Sequence, residues 1–217
     1  TDVALRALAG EARVDLAGLP PGAAALLLVK ASKAHAGPML VVTADTDAMR
    51  RTAESLRFFL GESDAVRTEV LHFPSADTSP FLDVASDRRA TMDRLAALFH
   101  MAQGLPWRFL VVSAAALIRK VAPREAITSR SKWVRAEDEL DRDELIRVLA
   151  DGGYLRVPVA EDPGTFAVRG GIIDVYAPHA PYPARIELDD WLVTSIKYFD
   201  PDTQRTVSET PGIFVHP

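Results

Sequence analysis

The sequence predicts an α/β protein with two parts: a three-layer domain around a parallel sheet, then a smaller α+β domain with antiparallel strands. Up to about Lys120, fully apolar strand-like runs alternate with helix-like stretches, which is typical of a parallel sheet covered on both faces. After Pro123, short strand-like runs follow one another between turns rich in glycine and proline, which favours antiparallel pairing. We therefore expect domains at residues 1–120 and 121–205, with residues 206–217 beginning a segment that returns to the first domain.

Apolar runs and helix-capping residues predict the elements of the first domain. The predicted strands are Arg13–Leu16, Met39–Thr43, Val66–His72 and Phe109–Ser113. The predicted helices are Ala23–His35, Asp45–Leu60 and Ser86–Gln103. Asp45 is a favourable N-cap and Gly61 a favourable end for the second of these helices, while Gly37 and Pro38 end the first.

The second domain reads as one helix followed by a series of strands. The helix is expected at about Asp141–Ala150, and its acidic first turn complements the helix dipole. The predicted strands are Tyr154–Val159, Thr165–Arg169, Ile172–Tyr176, Arg185–Leu188 and Leu192–Phe199. Gly170–Gly171 predicts a turn or bulge, and Asp189–Asp190 a solvated turn between strands. The chain stops at Pro217, just after a run with strand composition, so we expect a fragment boundary there.

Composition excludes several classes of function. The 217 residues include 25 basic and 30 acidic side chains and no cysteine, so disulfide scaffolds and thiolate metal sites are excluded. The five histidines have no ligand spacing, and neither a metal site nor a Ser/His/Asp catalytic arrangement is expected. The longest apolar run, Ala23–Val29, is far shorter than the roughly 18 residues of a membrane span, and we expect a cytoplasmic protein that contacts no membrane. Residues 121–217 carry 11 basic and 17 acidic side chains, which argues against DNA binding by the second domain alone.

The segment Gly18–Ala25 lies between a predicted strand and a helix, where a phosphate-binding loop would lie. Gly18 matches the first glycine of such a loop, but Ala24 stands in place of its lysine and Ala25 in place of its magnesium-binding hydroxyl. The segment is therefore either a degenerate, inactive nucleotide loop, represented by Gly18, Gly22, Ala24 and Ala25, or an ordinary strand–turn–helix connection. ATP hydrolysis is not expected in either case.

Two arginines are candidate binding residues. Arg169 ends an apolar strand before a Gly-Gly pair, and Arg185 begins another strand. They either form internal ion pairs with Asp174, Glu187 or Asp189, or they anchor a protein partner, since arginine is enriched at interface hot spots.

Three separated motifs, Gly164–Pro178, Pro183–Glu187 and Ile196–Arg205, resemble the UvrB-homology module at the N-terminus of bacterial transcription-repair coupling factors. Phe73–Phe81 and His35–Pro38 are similar to the same module, so the resemblance covers nearly the whole chain. UvrB itself retains the lysine of its phosphate loop and carries an aromatic-rich hairpin after its Phe-Pro motif, and this chain has neither feature. The resemblance is therefore closer to the coupling factors.

This resemblance implies a non-catalytic module whose second domain binds UvrA through Arg169 and Arg185. Asp189 belongs to the same implied site, where the family often has an aromatic residue. The family also implies contact with C-terminal domains of the same longer chain. RNA polymerase, DNA, ATP and magnesium would be bound only by downstream domains, and no cofactor is expected here. We expect charge reversal at either arginine to weaken UvrA binding and leave the fold intact.

Two alternatives stay open at the level of sequence. One is the N-terminal part of a UvrB-like damage-binding helicase that still binds ATP. The other is an autoinhibitory structural domain, whose surface could be the same as the one that binds UvrA.

Overall fold

A computed structural model describes residues 13–61, 69–75, 88–178 and 180–216. The chain divides into two compact units, which we describe separately. The first is drawn from Thr1–Arg94 and Leu105–Lys120, and the second from Leu95–Gly104 and Val121–Pro217.

The first unit is built on a parallel sheet with strand order β1-β3-β2. Its elements are α1 (Pro21–Ala34), β1 (Met39–Thr43), α2 (Thr46–Leu60), β2 (Val70–Phe73), the first half of α3 (Arg88–Ala102), β3 (Phe109–Ser113) and α4 (Ala114–Leu117). Both neighbours of the central strand run parallel to it: Val41 and His72 each pair with Val111. The predicted parallel sheet is thus confirmed.

The predicted caps of α2 are also confirmed. Asp45 accepts a hydrogen bond of 2.7 Å from the amide of Ala48, and Gly61 ends the helix at a positive φ of 96°. The α1–α2 side of the sheet holds the core of this unit. Its buried members are Ala25, Val29, Met49, Ala53, Leu56, Val70, Phe109 and Val111.

Two predictions for the first unit are wrong in the described residues. Residues 13–17 form no strand, because this short charged segment has no apolar face to bury. Nor is β1 covered on both faces: Leu40 and Val42 are 55% and 51% exposed, whereas Met39 and Val41 pack against the core. The strand predicted at Val66–His72 is described only over Val70–Phe73. Residues 62–68 and 76–87 lie outside the described part of the chain.

The second unit is dominated by a sheet with strand order β10-β9-β8-β7-β6-β5. Its elements, after the end of α3, are α5 (Arg124–Thr128), β4 (Lys132–Arg135), α6 (Arg142–Asp151), β5 (Leu155–Arg156), β6 (Thr165–Arg169), β7 (Ile172–Tyr176), β8 (Ala184–Asp189), β9 (Leu192–Phe199), β10 (Thr206–Glu209) and β11 (Gly212–Val215). All neighbouring strands are antiparallel except β5 and β6, and β11 forms a separate antiparallel pair with β4. The predicted antiparallel character is therefore confirmed.

One face of this sheet packs against α6 to form the core. Asp141 caps α6 by accepting hydrogen bonds from the amides of Asp143 and Glu144. The buried core residues include Leu145, Leu149, Phe166, Ile173, Val175, Ile186, Val193 and Ile196. Because side chains alternate along a strand, the residues between them lie on the opposite, outer face.

The predicted turns lie where the sequence indicated. Gly170, at φ +58°, joins β6 to β7, and Asp190, at φ +55°, joins β8 to β9. The pairing of β8 with β9 shifts register between Glu187 and Leu188, which marks a bulge.

Some features of the second unit differ from the prediction. The strand predicted over Tyr154–Val159 is confined to Leu155–Arg156, and Pro158 has no N–H with which to extend it. The strands β4 and β10 were not predicted. The segment 206–217 is predicted to begin a return to the first domain, which stays a prediction; in the described residues β10 pairs with β9 and β11 with β4. No helix in the described ranges is long and apolar enough to cross a membrane.

Candidate protein-binding site

The outer face of the second sheet carries a row of polar residues that the strand register places side by side. Ala167 pairs with Asp174, Asp174 with Arg185, and Arg185 with Lys197. Arg169 lies two residues along β6 on the same face. These strands therefore bring the two candidate arginines to one place.

Asp174 is the centre of this arrangement. Its carboxylate is fully buried and accepts hydrogen bonds from both arginines. Arg185 binds it with two nitrogens: Nε lies 2.7 Å from Oδ1 and Nη2 lies 2.9 Å from Oδ2. These hydrogen bonds are the main reason that the pKa of Arg185 is raised.

Arg185 has two further contacts. Its Nη2 donates to Oε1 of Gln204 at 3.1 Å, and its guanidinium lies 4.4 Å from the ring centroid of Phe199. Its side chain is only 19% exposed. Arg169, in contrast, donates one hydrogen bond of 2.5 Å to Oδ2 of Asp174, and its side chain is 47% exposed. We call Arg169, Asp174, Arg185, Phe199 and Gln204 the arginine cluster.

The turn after β9 holds Gln204 in the cluster. The side chain of Asp200 accepts hydrogen bonds from the amides of Asp202 and Thr203 and from the Thr203 hydroxyl. The pKa of Asp200 is lowered, chiefly by the amide of Thr203. Gln204 has a positive φ of 59° and donates from Nε2 to the carbonyl of Pro201 at 2.7 Å, which leaves Oε1 to face Arg185.

A second polar group lies next to the cluster on the same face. Glu187 accepts hydrogen bonds from Ser195 Oγ at 2.5 Å and from Lys197 Nζ at 2.9 Å. These contacts, with that of Ser195 the larger, lower the pKa of the Glu187 carboxyl. Lys197 is therefore already paired, and the cations nearest to Asp174 are the two arginines.

The structure brings together some of the predicted site residues and leaves one apart. Arg169 and Arg185 meet at Asp174, one of the three acids predicted for internal pairing. Asp189 lies exposed at the end of β8, and no hydrogen bond or ion pair joins it to either arginine in the described ranges. The roles of Phe199 and Gln204 were not predicted, although both lie in the motifs quoted above. Asp174 could have been noticed in the sequence, because it is a charged residue within the apolar run of β7.

The segment Gly18–Ala25, predicted as either a degenerate nucleotide loop or an ordinary connection, offers few free amide groups in its described geometry. Pro20 is the N-cap of α1, and the amide of Ala24 already donates to its carbonyl at 3.0 Å. Pro21 has no N–H, so Gly22 and Ala23 supply the free amides of the first turn. Ala25, at the position of the magnesium-binding hydroxyl, is buried in the core, and Gly18 has a positive φ of 73°.

Among comparisons with known proteins, a family model matches the second part of the chain. Residues 133–217, which contain the entire arginine cluster, match the family model of the UvrB interaction domain.

Similarity to longer proteins extends over most of the chain. The chain is 38% identical over 196 residues to the transcription-repair-coupling factor of Myxococcus xanthus, covering 90% of this chain and 16% of that protein. The Mycobacterium tuberculosis protein of the same name is 32% identical, over 91% of the chain and 16% of its own length. The Escherichia coli protein is 27% identical, over 96% and 18%. The resemblance to transcription-repair coupling factors that the motifs predicted is therefore confirmed, and the chain spans about a sixth of the length of these relatives.

Proposed function

We propose that this chain is the module of a transcription-repair coupling factor that recruits UvrA in nucleotide excision repair. The observation that carries the proposal is the match of residues 133–217 to the UvrB interaction domain, together with the arginine cluster inside that range. Charge-assisted hydrogen bonds from arginine to carboxylates are strong and directional, which suits recognition of acidic side chains on a protein partner. The module itself performs no catalysis in this proposal.

The structure revises the expectation that charge reversal at either arginine leaves the fold intact, because the two side chains differ in burial. A glutamate in place of Arg185 would put a second carboxylate against buried Asp174, so charge reversal there is expected to cost stability as well as binding. Arg169 is half-exposed, and its replacement is expected to leave the fold intact. Arg169 is therefore the position at which binding can be tested separately from folding.

The test is calorimetric titration of the purified chain with UvrA, without nucleotide or DNA. Saturable binding that is lost in Arg169→Glu would support the proposal. Arg142→Glu is the matched control, because Arg142 is 46% exposed and contacts Asp143 and the Gly170 carbonyl, not Asp174. Absence of binding by a chain that melts cooperatively would contradict the proposed function.

We also propose that the first unit is a helicase-like domain of the P-loop NTPase type whose nucleotide loop is inactive. The buried Ala25 and the two prolines support this proposal. A fluorescent ATP analogue is expected not to bind the chain at millimolar concentration. Saturable binding that is altered by substitution at Gly22 would favour the rival, a UvrB-like helicase that binds ATP.

In the longer protein, we propose that downstream domains bind RNA polymerase and translocate DNA with ATP and magnesium. The arginine-bearing face would be held against a C-terminal domain until polymerase is engaged. These roles lie outside the present sequence and rest on the family resemblance.

A further inference from the structure

The arginine cluster contains one more positive charge than negative charge. Two guanidinium groups share the single carboxylate of Asp174, and the other polar member, Gln204, is neutral. The neighbouring Glu187 is bound by Ser195 and Lys197. The cluster is therefore one carboxylate short of balance.

The excess charge is not shared equally. Arg185 is bound by Asp174 at both oxygens, by Gln204 and by the face of Phe199. Arg169 has one hydrogen bond to the same carboxylate and is 47% exposed. A guanidinium group has five N–H donors, so Arg169 keeps most of its donors for a ligand.

Asp174 would stay paired if Arg169 turned away. Its Oδ1 accepts from Nε of Arg185, and its Oδ2 accepts from Nη2 of Arg185 as well as from Arg169. Releasing Arg169 therefore does not leave a buried charge without a partner, which would be costly.

We infer that Asp174 is a positioning residue: it holds Arg185 permanently and Arg169 exchangeably, so that a carboxylate of the partner takes over Arg169 and completes the charge balance of the cluster. The inference rests on the proposed function and adds the chemistry of recognition. The partner contributes an acidic side chain to Arg169, and Arg185 acts as a fixed support.

A double-mutant cycle with UvrA tests this exchange. Arg169→Gln is expected to weaken binding on the order of tenfold, the size of a lost charge-assisted hydrogen bond. Asp174→Asn removes the carboxylate that competes with the partner for Arg169, so it is expected to strengthen binding severalfold in the parent chain, but to change it by no more than about twofold in the Arg169→Gln background. Arg142→Gln, the matched control, should leave the affinity unchanged.

If Asp174→Asn changes the affinity for UvrA by the same factor in both backgrounds, the inference is overturned, since a general structural role of Asp174 would be independent of Arg169. Melting curves accompany each variant to establish that it is folded. If UvrA does not bind the parent chain at all, it is the proposed function that fails.

A second measurement needs neither UvrA nor an Asp174 variant. The parent chain is titrated with acetate, with chloride at equal ionic strength as the control, and the guanidinium N–H signals are followed by NMR. The signals of Arg169 should shift more than those of Arg142, while those of Arg185 stay in place. Equal shifts of Arg169 and Arg185, or none at Arg169, would overturn the inference.

Discussion

Asp174 is a buried carboxylate in a strand that is otherwise apolar. A charge without partners at this position would cost several kcal/mol, and the two arginines remove that cost by occupying both of its oxygens. The same contacts fix the side chain of Arg185 on the ring of Phe199. At the scale of single residues, one acid therefore converts two flexible side chains into an ordered, positively charged surface.

Glu187 gives a pH-dependent prediction at this scale. Its pKa is lowered in the folded chain by Ser195 and then by Lys197, so its contacts stabilise the fold fully above the ordinary range of a glutamate carboxyl. That contribution is lost as the pH falls through the lowered pKa. In urea unfolding, the stability difference between the parent chain and Glu187→Gln should be largest at neutral pH and shrink on acidification.

Two further variants complete that experiment. Ser195→Ala removes the largest cause of the shift and should reduce the pH dependence, whereas Glu209→Gln, at an exposed site, should leave it unchanged. A stability difference that is constant from neutral pH into the acidic range would contradict the prediction.

At the scale of elements, the β6–β7 hairpin carries Arg169 and the β8–β9 hairpin carries Arg185, and the backbones of the two hairpins lie in close contact. The amide of Leu188 donates a hydrogen bond of 2.7 Å to the carbonyl of Gly171, so the end of β8 is held against the β6–β7 turn. A Cβ at position 171 would lie 2.5 Å from the carbonyl oxygen of Leu188. Glycine is thus required here by the approach of two backbones.

Gly171→Ala is therefore expected to destabilise the chain by about 1–3 kcal/mol, because backbone must move to make room. Gly22→Ala is the matched control: a Cβ there meets nothing within 4 Å, and alanine suits a helix better than glycine. Urea unfolding of both variants measures the contrast. Equal stability of the two variants would show that the hairpins separate freely.

At the scale of the whole molecule, neither compact unit is a single continuous segment of the chain. Residues Leu95–Gly104 belong with Val121–Pro217. Within that unit the fully buried ring of Phe99 stacks on His216, with ring centroids 4.4 Å apart, and meets the edge of Phe214 at 5.5 Å. The second unit therefore depends on a segment that precedes it in the sequence.

Phe99→Ala is expected to destabilise this unit by about 3 kcal/mol, since it leaves a cavity among aromatic rings. Hydrogen exchange at Ile213–Val215, which pair with β4, should accelerate accordingly. Phe58→Ala is the control, because Phe58 is 68% exposed and its loss should cost about 0.5 kcal/mol or less. If the hydrogen exchange rates in β11 are the same in Phe99→Ala as in the parent chain, the second unit does not depend on Phe99 in this way.

The sequence by itself determined the elements whose signals are local. The apolar runs Met39–Thr43 and Phe109–Ser113, the Asp45 cap, and the turn at Gly170–Gly171 were all predicted correctly, because periodicity, capping and turn chemistry act over a few residues. The resemblance to the coupling factors could also be detected in the sequence, since each of its motifs is a contiguous segment. The strands β4 and β10 were missed because each has only four residues and mixes polar with apolar side chains, and β4 also depends on pairing with β11, which is distant in the chain.

Only the tertiary structure decided what the site is made of. The sequence left Arg169 and Arg185 with three possible acids and could not rank them. The register of the three strands β6, β7 and β8 decides the choice, because it places Asp174, and not Asp189, between the arginines. The difference in exposure between the two arginines comes from Phe199 and Gln204, which the chain brings in from a later strand and turn. Burial and pairing depend on contacts across strands, and such contacts exist only once the sheet has formed.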